Sequence, residues 1–393
     1  MKRLLLKLLI PIACFFGRMF FGIAHFLKAP PKPERLGKVL VIKLWAIGEV
    51  VTALPVLEAL KRHDPSCQVH MLVGKSAYPV VENDPHCDKV IQIDESIFLK
   101  PRPFALWRFA RELKGEKYDT TIVLHQFFIF GVFAWLAGIP ARAGLDRNGE
   151  GFALTFKVPR PKSKVHRVVE NLLPLVQFGV NVEGLAPVIT LDKQSIQTAK
   201  EIVREMADGR SASELVVILP TGGVNAAASA IASNFVNKRW PIEYYVALAE
   251  RFLEDGLSVL VLGGPGEKDL QPSFGNDKSR YRVLLGKTDL RTTMALIKQA
   301  SVVATNDSGP MHIAAALSVP VVAVFGPTDP VAARPYSSRS IVLTGDDSCA
   351  PCIREDVFPN IVPKCDHQRC MRSVTVDMVF KAAKELLSAS API

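Results

Sequence analysis

The sequence has no G-x-G-x-x-G run at a strand-to-helix turn, and that absence argues against an enzyme built around a nicotinamide dinucleotide. It also lacks a basic strip interleaved with aromatics, Cys/His zinc-finger spacing and any RNA-binding signature. A net charge of +10 calls for an acidic partner, and these absences rank nucleic acid below a membrane face or a phosphorylated substrate. The seven cysteines are an odd number with no secretory context, which argues against a disulfide framework. Residues 4 to 27 are mostly Leu, Ile, Phe, Ala and Met, yet Lys7 and Arg18 interrupt them. Pro30-Pro-Lys-Pro33 then follows where a signal peptide would show a small-residue cleavage site.

That N-terminal stretch has a pattern of its own. At 100° per residue Lys7, Cys14, Arg18 and His25 fall nearly on one line, a narrow basic stripe on an otherwise apolar helix. A spanning helix would hold Lys7 and Arg18 at costly depth. A helix lying in the headgroup layer keeps them wet, so residues 1–30 are expected to form an in-plane membrane anchor.

At 393 residues, 49% hydrophobic and 22% charged, the chain has room for two globular domains. Lys38 to Leu44 reads as a buried strand, and the turn from Trp45 leads into a helix through Leu60. Val69 to Val73, Val90 to Ile93 and Thr121 to Leu124 continue an alternation with helices such as Phe104 to Leu113, the pattern of a parallel sheet. The Lys- and Arg-rich segments Phe104–Lys117 and Arg142–Arg167 read mainly as solvated basic surface, with His166-Arg167 as structural residues. Asn181 to Lys193 is the expected interdomain linker. The domains are therefore expected at 37–182 and 194–374, with a C-terminal helix in 375–393. In the second, strands at Leu215–Leu219 and Ser258–Leu262 flank Pro220-Thr-Gly-Gly223 and an Ala/Ser-rich stretch, Ala226–Asn237, that reads as a lid or an insertion.

The most informative run is Thr305 to Pro330. Asn306, Asp307 and Ser308 are turn and N-cap residues, and Pro310 suits a first helical turn. Val319 to Phe325 is a continuous apolar strand, and Gly326-Pro327-Thr328-Asp329-Pro330 opens the loop after it. A helix start at the carboxyl edge of a parallel sheet suits a phosphate or diphosphate. The competing reading is an ordinary capped core helix with His312 simply packed.

Asp307-Ser-Gly-Pro-Met-His312 and Phe325-Gly-Pro-Thr-Asp-Pro330 resemble the C-terminal signature of glycosyltransferase family 9, the heptosyltransferase-like family. Val41-Ile-Lys-Leu-Trp-Ala-Ile-Gly-Glu-Val-Val resembles its N-terminal motif, Lys238-Arg-Trp-Pro241 its donor-side element, and Gly263-Gly-Pro-Gly266 and Leu285-Gly-Lys-Thr-Asp-Leu similar loops, over most of residues 38 to 388. The resemblance implies the GT-B arrangement, two α/β Rossmann-like domains facing each other, with the C-terminal helix crossing back onto the first domain. It also implies metal-independent, inverting transfer of a sugar, in known cases heptose from ADP-heptose, to a phosphorylated lipopolysaccharide-type acceptor at the cytoplasmic face of the inner membrane.

Carried over residue by residue, the resemblance implies Glu49 as the general base, in a position where the family has Asp, and Lys238 beside the donor diphosphate. Thr221, Gly222, Gly223, Asp307, Ser308, Gly309 and His312 would line the donor pocket. Read without the family, Glu49 stabilises a helix N-terminus and Lys238 and Arg239 form a surface pair. Cys349-x-x-Cys352, Cys365 and Cys370, with His367 nearby, have spacing compatible with a structural zinc site, with packed thiols or a disulfide as the other readings. No cofactor is expected for catalysis. The opposing functional class is a catalytically silent relative that binds nucleotide sugar and organises envelope assembly, motivated by Glu49 and by the Ala/Ser-rich stretch.

Overall fold

The computed structural model describes residues 11, 13–22, 32–33, 35–99, 102–125, 127–147, 149–206, 214–222, 235–353, 365 and 367–389. The chain divides into two compact units, Met1–Trp45 with Thr52–Ala186, and Ala46–Val51 with Pro187–Ile393. The division falls inside the expected linker. The short Ala46–Val51 segment, however, belongs with the second unit although its neighbours in the chain belong with the first.

In the first unit, strands β1 (Lys38–Ile42), β2 (Gln68–Gly74), β3 (Lys89–Ile93), β4 (Thr120–Val123), β5 (Ala141–Asp146) and β6 (Phe156–Pro159) form one parallel sheet in the order β3-β2-β1-β4-β5-β6. The second unit holds β7 (Leu215–Leu219), β8 (Ser258–Gly263), β9 (Tyr281–Leu285), β10 (Val302–Asn306), β11 (Val321–Phe325) and β12 (Ser340–Thr344), all parallel, in the order β12-β11-β10-β7-β8-β9. Taken as the first to sixth strands of their own sheet, these also run 3-2-1-4-5-6. Both sheets are thus Rossmann-like, with a topological switch point between β1 and β4 and another between β7 and β10.

The apolar runs explain the central strands: Val39 to Ile42, Val216 to Leu219 and Val321 to Phe325 are buried on both faces, as parallel strands covered by helices require. Trp240, Tyr245, Phe252 and Val379 pack with β7, β8 and β11 in the second core, and Phe130, Phe133 and Leu113 pack with β1 in the first.

Three expectations need correction. The Val376–Ser388 helix was expected to cross back onto the first domain. Instead it packs on the second unit's own sheet, because Val379, Ala382, Ala383 and Leu387 form an apolar face that fits there. The Arg142–Arg167 stretch is not simply a wet basic surface. Arg142 is the second residue of β5 and is buried; it donates to the carbonyls of Ile139, Pro140 and Ala153 at 2.6, 3.1 and 2.7 Å, and burial pulls its pKa down to about 10. Arg147 is buried as well. The Ala226–Asn237 stretch, expected as a lid or an insertion, lies mostly outside the described residues, which resume with a 3-10 turn at Phe235–Lys238.

The third correction concerns the N-terminal helix. Among the described residues no helix is long and apolar enough to cross a membrane. Residues 13–22 are helical, and the stripe read as the wet side turns partly to protein: Cys14 and Phe21 are buried against Phe152 and Ala153. Gly17 allows this approach, since a Cβ there would stand 2.5 Å from the Phe152 ring, and Arg18 meets the backbone at Gly149. Phe15, Phe16, Met19 and Phe20 are left outward. Apart from residue 11, the rest of the 1–30 segment lies outside the described residues.

Candidate functional site

At the switch point of the second sheet, β7 and β10 run side by side and their carboxyl ends diverge into Pro220-Thr221-Gly222 and Asp307-Ser308. Polar side chains tie the two ends together. Thr305 Oγ1 donates to the Leu219 carbonyl at 3.1 Å, and Asn306 Nδ2 to the Thr221 carbonyl at 2.6 Å. The other end of the Asn306 amide accepts from the Tyr245 hydroxyl at 2.8 Å, and Thr221 Oγ1 donates to Ser308 Oγ at 2.9 Å. Each group is buried, so each bond satisfies a donor or acceptor that would otherwise be costly to bury.

Asp307 is the charged centre of this network. Its Oδ2 accepts from Lys238 Nζ at 2.8 Å and from Thr328 Oγ1 at 2.6 Å, which joins the ends of β10 and β11 to the Lys238-Arg-Trp240 run. Burial alone would raise the Asp307 carboxyl. The Lys238 ammonium, its hydrogen bond and that of Thr328 outweigh this, with help from His312, and hold the group below the usual carboxylate range. Lys238 and Arg239 are therefore not a surface pair. Lys238 is fixed by Asp307, and Arg239 lies 3.6 Å from Glu267 with its Nε packed against Gly222, where a Cβ would stand 2.7 Å away. Glu267 also accepts from the Gly264 N–H at 3.0 Å, so the Thr221-Gly222 turn and the Gly264 loop share one anchor.

The helix Gly309–Ala316 begins at this network, with Ser308 in extended backbone as its N-cap residue. The Ser308 side chain makes no cap bond; it meets Thr221 instead. The Ile47–Val51 helix packs against this helix start: a Cβ on Gly309 would stand 3.2 Å from the Ile47 Cβ, and one on Gly48 would stand 2.7 Å from His312 Cδ2. Gly48 is thus required for a close approach, and Glu49 follows it in the first helical turn, partly buried. The arrangement gathers Glu49, Thr221, Gly222, Lys238, Asp307, Ser308, Gly309 and His312 in one unit. Gly223 lies outside the described residues. Reading the sequence did not place Thr328, Asn306 or Tyr245 among the site residues. Their signal was position alone, at or facing the carboxyl ends of β10 and β11.

The first sheet's switch point has different contents. Lys43 Nζ donates to the Leu124 carbonyl at 3.2 Å, the Leu44 N–H donates to His125 Nε2 at 2.8 Å, and the Trp45 and His125 rings lie 4.6 Å apart. These residues, too, were not singled out from the sequence.

Cys349, Cys352, Cys365 and Cys370 surround a small cavity with Asn237, Pro327, Ile353 and Gln368. All seven cysteines are free, and burial with neighbouring thiols pushes Cys370 up to about 11. Among the described residues no group of three or more His, Cys, Asp or Glu side chains is arranged to hold a metal ion. The cluster lies next to the polar centre: the N–H groups of Cys352 and Ile353 donate to the Pro327 carbonyl at 3.0 and 2.8 Å, and Gln368 Nε2 reaches Asn237 Oδ1 at 3.3 Å.

Comparison with known proteins agrees with this architecture. The model of glycosyltransferase family 9 (heptosyltransferase) matches residues 106–361. Lipooligosaccharide heptosyltransferase 2 of Haemophilus influenzae is 26% identical over 321 residues, covering 78% of this chain and 88% of that protein. A family 9 glycosyltransferase from Veillonella parvula superposes with a TM-score of 0.77 at 24% identity, covering 91% of this chain and 98% of its own. The ADP-heptose lipopolysaccharide heptosyltransferase II of Escherichia coli gives 0.70 at 20% identity, over 90% and 99%. The chain belongs to glycosyltransferase family 9, the heptosyltransferase family.

Proposed function

We propose that this protein is an inverting glycosyltransferase that moves heptose from ADP-heptose to a phosphorylated inner-core lipopolysaccharide or related envelope glycolipid. The reading draws its substrate class from the named activities of its relatives. The observation that carries it is the Lys238–Asp307–Thr328 network at the start of the Gly309–Ala316 helix, with the Gly48-Glu49 turn seated on that helix.

In this proposal the Glu49 carboxylate takes the proton of the acceptor hydroxyl, whose oxygen forms a bond to the anomeric carbon. The bond from that carbon to the diphosphate oxygen breaks, and its electron pair leaves with ADP. A single displacement of this kind inverts the anomeric centre. Lys238 and the backbone of Ser308 and Gly309 meet the charge that grows on the diphosphate, while Asp307 holds the Lys238 side chain in place. Thr221 and Gly222 shape the same pocket, with Gly223, and His312 positions the donor. No step uses a metal or another cofactor.

The same proposal seats residues 1–30 in the cytoplasmic face of the inner membrane, where a lipid-linked acceptor is presented. It also gives the four-cysteine cluster a structural duty, with zinc as the ion its thiolates would take once they draw together from their present arrangement. One equivalent of zinc in protein purified without chelator supports that part, and none overturns it. The silent-relative reading keeps its foothold in Glu49, one methylene longer than aspartate. Nucleoside diphosphate release from a panel of nucleotide sugars, with a detergent-solubilised core acceptor, tests the whole: turnover with ADP-heptose supports transfer, and nucleotide binding with no turnover from any donor supports the silent relative.

A further inference from the structure

Among the described residues the markedly exposed Phe, Trp and Tyr side chains are Phe15, Phe16, Phe20, Phe104, Trp107 and Trp135, and all six belong to the first unit. They lie on three helical stretches that touch in turn. Phe20 packs edge-on against Trp135 with centroids 5.8 Å apart, and the Phe128–Leu136 helix packs against Pro103–Lys114 through the stacked rings of Phe133 and Phe109, 5.7 Å apart.

The Pro103–Lys114 helix is the least expected of the three. Leu106, Ala110 and Leu113 form its buried face. Opposite them, at spacings of three and four, stand Phe104, Trp107, Arg108 and Arg111, with Lys114 one turn on, all exposed. Phe104 is 86% exposed and Trp107 49%. The Arg111 guanidinium lies over the Trp107 ring, 4.8 Å from its centroid. A face meant only for water has no use for two large aromatics. One meant for a second copy of the chain would set Arg108, Arg111 and Lys114 near their own equivalents across a twofold axis. Bulky aromatics flanked by long cationic side chains match an anionic bilayer surface: the rings enter the headgroup boundary, and the cations reach lipid phosphates.

We infer that the outward face of the Pro103–Lys114 helix is a second membrane-contact surface, in which Phe104 and Trp107 enter an anionic bilayer while Arg108, Arg111 and Lys114 engage its phosphates. The inference extends the membrane reading made for residues 1–30 but stands on different side chains, so the two are separable. Because Phe104 and Trp107 are exposed, replacing them leaves the core intact.

The test uses the full chain with vesicles of phosphatidylcholine, with and without phosphatidylglycerol. Partitioning of Phe104→Ser/Trp107→Ser onto the anionic vesicles is expected to fall by roughly tenfold or more against the wild type, since two interfacial aromatics are lost. Arg108→Gln/Arg111→Gln is expected to remove much of the preference for phosphatidylglycerol. Acyl-brominated lipids are expected to quench the wild type more than Trp107→Phe, a difference that reports Trp107 itself within the bilayer. Equal quenching of the two, or unchanged partitioning of the double serine variant, overturns the inference even if residues 1–30 hold the protein on the vesicle. Failure of the wild type to bind either vesicle overturns it together with the anchor reading.

Discussion

The two sheets share one strand order and differ in what stands at their switch points. After β10 and β7 come Asp307, Ser308 and Thr221, a buried polar network closed by Lys238 and Thr328. After β4 and β1 come His125 and Trp45, whose rings lie tilted against each other beside the Leu44 N–H that donates to His125 Nε2. Among the described residues the exposed aromatics lie on helices of the first unit, whereas the large apolar side chains exposed in the second are Val188, Val331 and Met378. Identical topology therefore carries two kinds of surface. Buried charge is gathered at the loops of one sheet, and exposed apolar area on the helices around the other. Strand order fixes where ligands can sit; the loop residues decide which ligand.

The largest break in this comparison should come from Asp307→Ala. It strands the Lys238 ammonium at a site where both side chains are mostly buried, and the expected cost is roughly 3 kcal/mol, read as a lower denaturation midpoint, with loss of donor binding. The sign of the pH dependence follows from the lowered carboxyl. The contribution is present above the ordinary aspartate range and is lost as pH falls through the folded pKa, so the variant's stability should respond less to acid than that of the wild type.

A second and smaller effect is expected of Gly48→Ala. Its Cβ would stand 2.7 Å from His312 Cδ2, which forces the two helices apart at a cost of about 1–3 kcal/mol and should lower kcat/KM more than it lowers Tm. His125→Ala then probes the corresponding place in the first sheet. It removes the acceptor of the Leu44 N–H and should cost about 1–2 kcal/mol while leaving donor binding unchanged. If it abolishes nucleotide binding, the division of labour between the sheets is wrong.

The smallest effect sharpens the contrast between buried and exposed charge. Glu116 accepts from Lys38 and Lys89, and their hydrogen bonds hold its pKa down to about 2, yet its side chain is about 30% exposed. Glu116→Gln should cost under about 1 kcal/mol near neutral pH. Because the folded pKa is depressed, that contribution is full above the ordinary glutamate range and should vanish as pH falls from about 4.5 towards about 2.

Much of this was legible in the chain. The apolar runs at β1, β2, β7, β8 and β11 announce buried parallel strands, and the Asp307-to-His312 run announces a helix start. What was not legible has physical reasons. β5 reads Ala-Arg-Ala-Gly-Leu-Asp, and an arginine in its second place hides a buried strand unless the three carbonyls that satisfy Arg142 are known. Lys238 and Asp307 are 69 residues apart, and nothing in local pattern pairs them; only the family resemblance drew them to one site. The N-terminal helix shows the converse. Its periodicity was visible, but which stripe would meet protein depended on Phe152, far along the chain.

The most direct test of sugar transfer at this site is ADP release from ADP-heptose with a core glycolipid acceptor, comparing the wild type with Glu49→Gln. The account predicts turnover in the wild type and a loss of roughly 10²–10⁴-fold in the variant, as removal of a general base entails, with nucleotide affinity retained. Equal turnover in both would contradict the role given to Glu49, and nucleotide binding with no turnover in the wild type would contradict transfer itself.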